Sequence, residues 1–329
     1  MTSHYAPVVA ALATLLSTSL LLISKTAKTI QDIPNERSLH TAPVPRIGGL
    51  GLMIGVFSGW ALLEEALAWW VVVPVLLLLS VSLLDDMHGL RARTRLLIHF
   101  IAAFIWLGGS GMLLQHPLAA MPVLLAVVWM TNLYNFMDGS DGLAGGMAFW
   151  GFSAYGVAAL LHGHDAQAML NFSIGAAALT FLYKNFPPAK VFMGDAGSIP
   201  LGFLAAAMGL WGWQQTLWPA WFPPLVFSPF VVDATVTLAK RLVHRERVWQ
   251  AHREHYYQRL IQMGWGHART ALLEYALMLA AGGSAIWALH QSQQIPWLLL
   301  SVWALSYAIL MLMLDRRWKV YMEGHCGSA

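Results

Sequence analysis

The chain has 329 residues, of which 58% are hydrophobic and only 11% are charged. A soluble domain of average composition carries about twice that charged fraction, so an ordinary soluble protein is excluded. The formal net charge of +3 comes from basic loops, where anionic lipid headgroups or an anionic substrate are the expected partners and nucleic acid is not.

Apolar stretches of near-bilayer length follow one another along the whole chain. Lipid leaves the backbone only helices or closed barrels, and runs this long and continuous favour helices. We therefore predict an all-α, polytopic membrane helix bundle of about eleven transmembrane helices, forming a single domain over residues 1–329. The stretches are approximately 5–24, 47–65, 68–84, 96–113, 116–131, 144–161, 167–183, 198–214, 217–239, 271–289 and 295–314.

The positions of the basic residues predict how the chain crosses the membrane. If the first stretch runs from outside to inside, all 19 Lys and Arg fall in inner loops, whereas the outer loops keep acids and histidines such as Glu65 and His162. This asymmetry predicts an external N-terminus and a cytoplasmic C-terminus. We expect the first stretch to be an uncleaved anchor, and the single cysteine, Cys326, excludes an internal disulfide.

Five polar segments fall on the predicted inner side, and the outer connections are short and nearly featureless. Polar residues confined to one membrane face favour an enzyme that acts from that side over a transporter, which needs polar groups deep in its helices and on both faces. The five segments are residues 25–46, 85–95, 132–146, 184–198 and 240–270.

Two carboxylates end the third apolar stretch, at Asp85 and Asp86. Adjacent residues on a helix point about 100° apart, so we expect these two side chains to have different roles. Carboxylates at a membrane edge need solvent, cations or a metal. A salt network with Arg91, Arg93 or Arg95 is therefore the alternative interpretation.

The segment 132–146 reads NLYNFMDGSDGLAGG. Asn132, Asn135 and Asp138 are three residues apart and share one helix face, and Asp141 precedes the next apolar run, where a helix cap is expected. An elaborate helix cap explains about one of the aspartates. It does not explain four polar groups on one stripe, which favours a binding or catalytic role.

In VFMGDAGSIP, glycines surround Asp195, and Ser198 and Pro200 are typical of a helix start. A glycine-rich turn ahead of a helix N-terminus is also an anion site. Mg²⁺ takes one or two protein carboxylates and leaves its other positions to water and phosphates, so Asp195 is a candidate ligand for Mg²⁺ against phosphate oxygens.

The segment 240–270 combines seven Lys or Arg with His244, His252, His255 and His267. A basic helix that contacts lipid headgroups is one interpretation. Cationic side chains around phosphates fit the other segments better. The five segments together therefore predict the joining of a soluble diphosphate donor to a lipid held in the bilayer.

The motifs RSLHTAPVPRIGG, LLDDMHGL, NLYNFMDGSDGLAGG, VFMGDAGS and HREHYYQRL occur in this order between about residues 34 and 270. This series resembles the polyprenyl-phosphate N-acetylhexosamine-1-phosphate transferase family. The resemblance implies a Mg²⁺-dependent reaction, with Mn²⁺ as an alternative metal, in which a UDP-N-acetylamino-sugar and undecaprenyl phosphate give undecaprenyl-diphospho-sugar and UMP. It further implies a bacterial inner-membrane protein with a cytoplasmic active site that initiates an O-antigen-like polysaccharide. Dimers occur in the family, which leaves a homodimer open.

The resemblance also implies roles for individual residues. Asp85 and Asp86 match the catalytic pair, of which the first is the favoured base for the lipid phosphate. Asp195 matches the metal-coordinating aspartate, and Asn135 is expected beside the metal. The expected substrate-binding residues are His40, Arg46, Asn135, Asp138, Asp141, Asn185, Arg253 and His255.

The chain departs from the family pattern at one place. Many relatives carry a His-x-His-His cluster in the last segment, whereas the corresponding positions here are His255, Tyr257 and Gln258, with His252 upstream. This departure resembles the branch that acts on O-antigen amino-sugars. It leaves His255 as the expected donor contact and assigns no role to His252.

An aspartate-rich intramembrane prenyltransferase is the alternative enzyme class, because such enzymes also use Mg²⁺ and a polyprenyl substrate. Their paired DxxxD-like motifs fit the adjacent Asp85–Asp86 pair and the DGSDG sequence poorly.

Overall fold

A computed structural model describes residues 4–33, 43–247 and 252–326 of the chain. In these ranges the chain is mostly helical, and its strands form one two-stranded antiparallel ribbon, in which β1 (Gln31–Asp32) pairs with β2 (Val44–Pro45). The expected substrate-binding residue His40 lies outside the described residues, and its role stays a prediction.

The helices confirm the predicted all-α, polytopic membrane architecture. In the described ranges, nine helical segments are long and apolar enough to cross a membrane. α5 and the α11–α12 pair are not among these nine, so the count of eleven and the orientation stay predictions. The helices are α1 (Ala6–Ile23), α2 (Thr26–Thr29), α3 (Gly48–Trp60), α4 (Trp69–His88), α5 (Ala92–Gly109), α6 (Met112–Gln115), α7 (Pro117–Phe136), α8 (Leu143–Leu161), α9 (Asp165–Asn185), α10 (Asp195–Gln214), α11 (Phe222–Val226), α12 (Ser228–Val243), α13 (Tyr256–Leu260), α14 (Gly266–Ala288) and α15 (Gln294–Cys326).

The predicted continuous stretch 217–239 is instead divided into α11 and α12. Each of these helices has a proline in its first two positions, Pro223 in α11 and Pro229 in α12. Proline has no backbone N–H to donate and is favoured in the first turn of a helix, so the chain restarts at each one.

The polar segments contain more helix than the sequence indicated. α4 continues to His88 and α5 begins at Ala92, so only a short turn separates Asp86 from the next helix. α7 likewise runs to Phe136 and α8 begins at Leu143. Internal hydrogen bonds keep the backbone helical up to the membrane edge. Asp85, Asp86 and Asn135 are therefore carried on helix ends, which hold them more firmly than loops would.

The N-terminal end of α10 lies at the centre of the bundle. In the most apolar 18 residues of α10, 78% of the residues are buried, compared with 6% in the corresponding stretch of α15. A Cβ atom on Gly49 would lie 2.3 Å from the backbone nitrogen of Gly197, so only glycine lets the start of α3 approach the start of α10 this closely. This contact brings the residues that precede α3 to the first turn of α10.

Candidate functional site

The first turn of α10 is the point around which the predicted site residues gather. Asp195 is its first residue, and Asn135 projects toward it from the last turn of α7. Nδ2 of Asn135 donates to Oδ1 of Asp195 at 2.9 Å and to Oγ of Ser198 at 2.9 Å. Asn132, one turn earlier, bonds back to its own helix through the Val128 carbonyl and does not share this contact.

Asp85 faces a cation that belongs to the next helix. Nη1 of Arg95, in the first turn of α5, lies 2.9 Å from Oδ2 of Asp85 and 3.2 Å from Oδ2 of Asp195. The backbone N–H of Leu90 donates to Oδ1 of Asp85 at 2.5 Å. One guanidinium nitrogen thus joins two acids that are 110 positions apart in sequence. The salt-network interpretation holds for Asp85, and this network includes the candidate metal ligand.

Asp86 points away from its neighbour, as their adjacent positions on a helix predict. Its Oδ2 accepts a hydrogen bond from the backbone N–H of Ala196 at 3.2 Å. A Cβ on Gly194 would lie 3.1 Å from this oxygen and 3.0 Å from the carbonyl oxygen of Arg46, and Gly194 has a φ of 70°. Glycine at this position therefore lets α4, α10 and the segment before α3 meet.

Arg46 is brought to the same place by backbone pairing. The N–H of Phe192 donates to the Pro45 carbonyl at 2.8 Å, and the N–H of Gly48 donates to the Phe192 carbonyl at 2.9 Å. Nη2 of Arg46 lies 3.0 Å from Oδ1 of Asp32. Burial opposes the charge of this guanidinium, but the carboxylates of Asp32, Asp86 and Asp195 outweigh that effect and raise the pKa of Arg46.

Asp138 lies beside these acids at the end of the turn that follows α7. Burial, together with the negative charges of Asp195 and Asp86, raises the pKa of its carboxyl well above the ordinary value, although Arg46 opposes this effect. Within the described ranges, no protein group forms a hydrogen bond with the Asp138 carboxylate.

The donor set at this place fits a divalent cation. Four carboxylates interact here, whereas the neighbouring guanidinium groups described by the structure are those of Arg46 and Arg95. No group of three or more acidic, histidine or cysteine side chains in the described ranges is arranged to enclose a metal alone. Mg²⁺ does not require such a cage, because it usually takes one or two carboxylates and completes its shell with water and phosphate oxygens.

Asp141 and Asn185 connect the loops around the site. Oδ2 of Asp141 accepts from the N–H of Ala189 at 3.0 Å. Oδ1 of Asn185 accepts from the N–H of Gly142 at 3.0 Å, and its Nδ2 donates to the Val191 carbonyl at 2.9 Å. Asn185 is 4% exposed. The structure shows both side chains holding the 137–142 and 186–194 turns together, and their expected contacts with substrate stay predictions.

His255 packs directly against the α7 end of the site. Its ring is stacked 6.5 Å from that of Phe136, the residue after Asn135, and its Nδ1 lies 3.2 Å from Oδ1 of Asp233. The ring of His252 lies 4.9 Å away, and burial, the neighbouring His255 and Arg241 lower the pKa of His252 to about 4. His252 is therefore neutral near pH 7. Arg253 is partly buried, and its carbonyl accepts from Nε2 of Gln262 at 2.8 Å.

Three contacts of this region were not predicted from the sequence: the link that Arg95 makes between Asp85 and Asp195, the bond between Ser198 and Asn135, and the bond between Asp233 and His255. Asp233 offered the clearest signal, because it is an acid within an otherwise apolar stretch. Arg95 stood out only as one of three arginines close to Asp85 and Asp86, and sequence spacing does not tell which of them reaches across to α10.

Comparison with known proteins places this arrangement in a family. Residues 68–212 match the profile described as glycosyl transferase family 4. The chain is 30% identical over 273 residues to a probable undecaprenyl-phosphate N-acetylglucosaminyl 1-phosphate transferase of Bacillus subtilis (strain 168), covering 78% of this chain and 76% of that protein. It is 31% identical to a decaprenyl-phosphate N-acetylglucosaminephosphotransferase of Mycolicibacterium smegmatis, covering 74% and 71%.

A third relative matches a larger share of the chain. An undecaprenyl-phosphate alpha-N-acetylglucosaminyl 1-phosphate transferase of Escherichia coli O157:H7 is 25% identical, over 88% of this chain and 84% of that protein. The family matches span the helices that carry Asp85, Asn135 and Asp195. The chain belongs to the polyprenyl-phosphate N-acetylhexosamine-1-phosphate transferase family.

Proposed function

We propose that the protein transfers a phospho-N-acetylamino-sugar from a UDP-sugar to undecaprenyl phosphate, at the cytoplasmic face of the bacterial inner membrane. The observation that carries this proposal is the gathering of four carboxylates and two arginines around the first turn of α10. An excess of acids at a helix N-terminus, next to lipid-facing helices, suits a metal-bound diphosphate that meets a lipid phosphate.

The reaction is a displacement at phosphorus. An oxygen of the lipid phosphate attacks the phosphorus that carries the sugar, and the bond from that phosphorus to the bridging oxygen breaks, so that UMP leaves with the electron pair. Asp195 and Asn135, with Asp138 beside them, are the residues that would hold Mg²⁺, which supplies positive charge against the diphosphate. Arg46 and Arg95 add fixed positive charge next to the transferred group.

Asp85 is the residue proposed to act on the lipid phosphate. This phosphate is largely ionised near neutral pH, so Asp85 mainly positions it and removes a residual proton. Because Arg95 bonds to both Asp85 and Asp195, it fixes the distance between the lipid-phosphate side and the metal side of the site. We favour direct displacement over a covalent aspartyl-phosphate intermediate on these grounds.

The product would initiate an O-antigen-like cell-envelope polysaccharide. Support comes from the residues at the donor end, where His255, Tyr257 and Gln258 replace the His-x-His-His cluster of many relatives. The relatives are named for N-acetylglucosamine. Our proposal for this chain is wider and includes other N-acetylated amino-sugars.

The direct test is an assay of purified protein with radiolabelled undecaprenyl phosphate and a panel of UDP-N-acetylamino-sugars. We expect one of these donors to give a lipid-linked sugar, identified by its migration, with release of UMP. Release of pyrophosphate from a prenyl diphosphate instead of UMP would overturn the proposal in favour of the prenyltransferase alternative.

A separate test addresses the side of the membrane. In a Cys326→Ser background, Met87→Cys and Lys190→Cys introduce thiols at exposed positions near Asp85 and Asp195, and His164→Cys serves as the matched control at the opposite end of the bundle. We expect a membrane-impermeant thiol reagent added from outside to label only His164→Cys. Labelling of Met87→Cys and Lys190→Cys from opposite sides of the membrane would show that Asp85 and Asp195 do not share one site.

A further inference from the structure

A second layer of polar side chains lies one helical turn deeper in the bundle than the ion pair of Asp85 and Arg95. Ser82 precedes Asp85 by three residues on α4, and His99 follows Arg95 by four residues on α5. Residues at these spacings are neighbours on one face of a helix. Ser82 and His99 therefore lie next to the ion pair, on the side away from the turn that joins α4 to α5.

The four residues of these two layers line a small cavity between α4, α5 and α10. The other residues that line it are apolar: Leu78, Val81, Ile98 and Ile199. The cavity offers about 10 Å³ to the centre of a water-sized sphere. One bound water needs roughly 10–15 Å³ by this measure. The cavity is therefore of a size to hold one water molecule and no larger ligand.

His99 has a buried ring nitrogen without a protein partner. The residue is 6% exposed, and within the described ranges its Nδ1 is sealed from solvent and bonds to no protein group. The side chain of Asn132 interacts with the ring but forms no hydrogen bond with Nδ1. Whether Nδ1 carries a proton or a lone pair, leaving it buried and unpaired costs free energy. A buried polar atom of this kind indicates a bound water or ion.

Ser82 and Asp85 offer the further hydrogen bonds that a buried water needs. Ser82 is 3% exposed, and within the described part of the chain its hydroxyl forms no hydrogen bond. Asp85 accepts from the Leu90 N–H at Oδ1 and from Arg95 at Oδ2, and each carboxylate oxygen can accept a second bond. Buried waters typically make about three hydrogen bonds. His99, Ser82 and Asp85 can supply that number.

We propose that this cavity binds one water molecule, held by Nδ1 of His99, Oγ of Ser82 and the carboxylate of Asp85, and that His99 is thereby a positioning residue for Asp85. The positioning role rests on the proposed function, in which Asp85 acts on the lipid phosphate. A bond through an ordered water is nearly as favourable in enthalpy as a direct hydrogen bond. It adds a third anchor to a carboxylate that Arg95 and the Leu90 N–H already hold, and it restricts the direction in which that carboxylate meets the lipid phosphate.

The first test looks for the water directly and needs no substrate. Crystal structures of the wild type, His99→Asn and His99→Leu are compared at a resolution that shows ordered water. Asn and Leu have the same shape, but only Asn carries polar atoms bonded to Cγ, where Nδ1 is bonded in histidine. We expect a water within hydrogen-bonding distance of Nδ1 in the wild type, a water retained in His99→Asn and none in His99→Leu. No water in the wild type, or a water that His99→Leu keeps, overturns the inference.

The second test measures steady-state kinetics with UDP-N-acetylglucosamine and undecaprenyl phosphate. His99→Leu should lower kcat about 10-fold and leave the KM for UDP-N-acetylglucosamine unchanged, because only the positioning of Asp85 is lost. His99→Asn should recover most of this loss. Equal losses in the two variants, or a changed KM for the donor, would show that His99 supports the fold and does not position Asp85.

A double-mutant cycle tests whether His99 acts through Asp85. In an Asp85→Asn background, His99→Leu should add little, because the group that it positions is already impaired. If the two losses multiply instead, His99 acts independently of Asp85 and the positioning role is refuted.

Ser82→Ala tests the third partner of the water and should lower kcat about 3-fold. Ser80→Ala is the matched control, because Ser80 is exposed on the same helix and bonds to the Leu76 carbonyl. Equal rates for these two variants would overturn the assignment of Ser82. A wild type that releases no UMP from any UDP-sugar would refute the proposed function, whereas the crystal structures would still decide whether the water is bound.

Discussion

Asp195 and Asp233 are two aspartates on the polar side of the bundle whose surroundings differ in kind. Asp233 is surrounded by four donors from its own chain, which occupy both of its oxygens. Asp195 lies among three further carboxylates, with two arginines to oppose them. A buried acid whose oxygens are filled by the chain holds structure together. An acid cluster with excess negative charge instead leaves a place for a cation.

The same contrast divides the DGSDG sequence, whose two aspartates are only three residues apart. Asp138 receives no hydrogen bond from the described part of the chain. Asp141 accepts one from Ala189 and lies 3.7 Å from Nδ1 of His267. Asp138 thus belongs with Asp195 to the cluster of acids with excess negative charge, whereas Asp141, like Asp233, accepts a hydrogen bond from the backbone of another segment. The comparison predicts that changes to the first kind of acid affect turnover and changes to the second affect stability.

The largest expected effect is that of Asp195→Asn on turnover. Loss of a metal-binding charge removes several kcal/mol of transition-state stabilisation, so the rate of UMP release should fall about 1,000-fold. Folding should be retained, because Asn is isosteric and relieves repulsion among the neighbouring acids. The rate is measured as UMP release at saturating Mg²⁺, and folding as the thermal midpoint in detergent.

Asp165→Asn is the matched control, since Asp165 is an exposed acid at the start of α9, away from the site. It should change neither quantity. If Asp195→Asn keeps the Mg²⁺-dependent rate of the wild type, the metal assignment is wrong, and the proposed difference between the clustered acids and the acids held by backbone N–H groups does not hold for Asp195.

The next largest expected effect on turnover distinguishes Asp85 from Asp86. Asp85 lies against Arg95 and the proposed lipid phosphate, so Asp85→Asn should lower turnover about 100-fold, in the range of lost acid–base and positioning groups. Asp86 bonds to the N–H of Ala196, so Asp86→Asn should act through the position of Asp195 and cost about 10-fold. Equal, mild losses in the same assay would instead favour a salt network with no catalytic part.

Asp195→Asn is expected to lower turnover and keep stability, whereas Asp233→Asn should mainly lower stability. The amide replaces an acceptor that serves backbone N–H groups, and the free energy of unfolding should fall by about 2 kcal/mol. Denaturation in mixed detergent measures this loss, with Thr237→Val, which removes one of the four donors to Asp233, as a milder comparison. No loss of stability in Asp233→Asn would show that filled hydrogen-bond positions do not identify a structural acid in this protein.

Much of this arrangement could be read from the sequence. Runs of apolar residues predicted the helices. The spacing predicted Asn135 and Asp138 near one another at the end of α7, although Asp138 lies in the turn after Phe136 and not on the helix face. The pairing of Asp85 with Asp195 through Arg95 could not be read, because it depends on which of several nearby cations reaches a helix 100 residues away. The roles of Asp141 and Asn185 in joining the two loops could not be predicted either. A side chain that bonds to backbone groups and one that contacts a substrate look the same in sequence.

The smallest expected effect concerns Asp138 and pH. Its pKa in the fold is raised above that of an unfolded aspartate, about 3.9, so the folded state holds a proton that the unfolded state releases. The resulting stability is present below that value and is lost as the pH rises toward the raised pKa. In EDTA, the thermal midpoint of the wild type should therefore fall with increasing pH more steeply than that of Asp138→Asn.

Mg²⁺ should reverse this fall in the wild type, because the ionised carboxylate of Asp138 then faces a cation. By mass action, a metal at 100 times its Kd adds about 2.7 kcal/mol to the free energy of unfolding. Parallel pH profiles for the two proteins, or no response of the wild type to Mg²⁺, would show that the oxygens of Asp138 do not contact the metal. Of these two aspartates, only Asp195 would then remain as a proposed metal ligand.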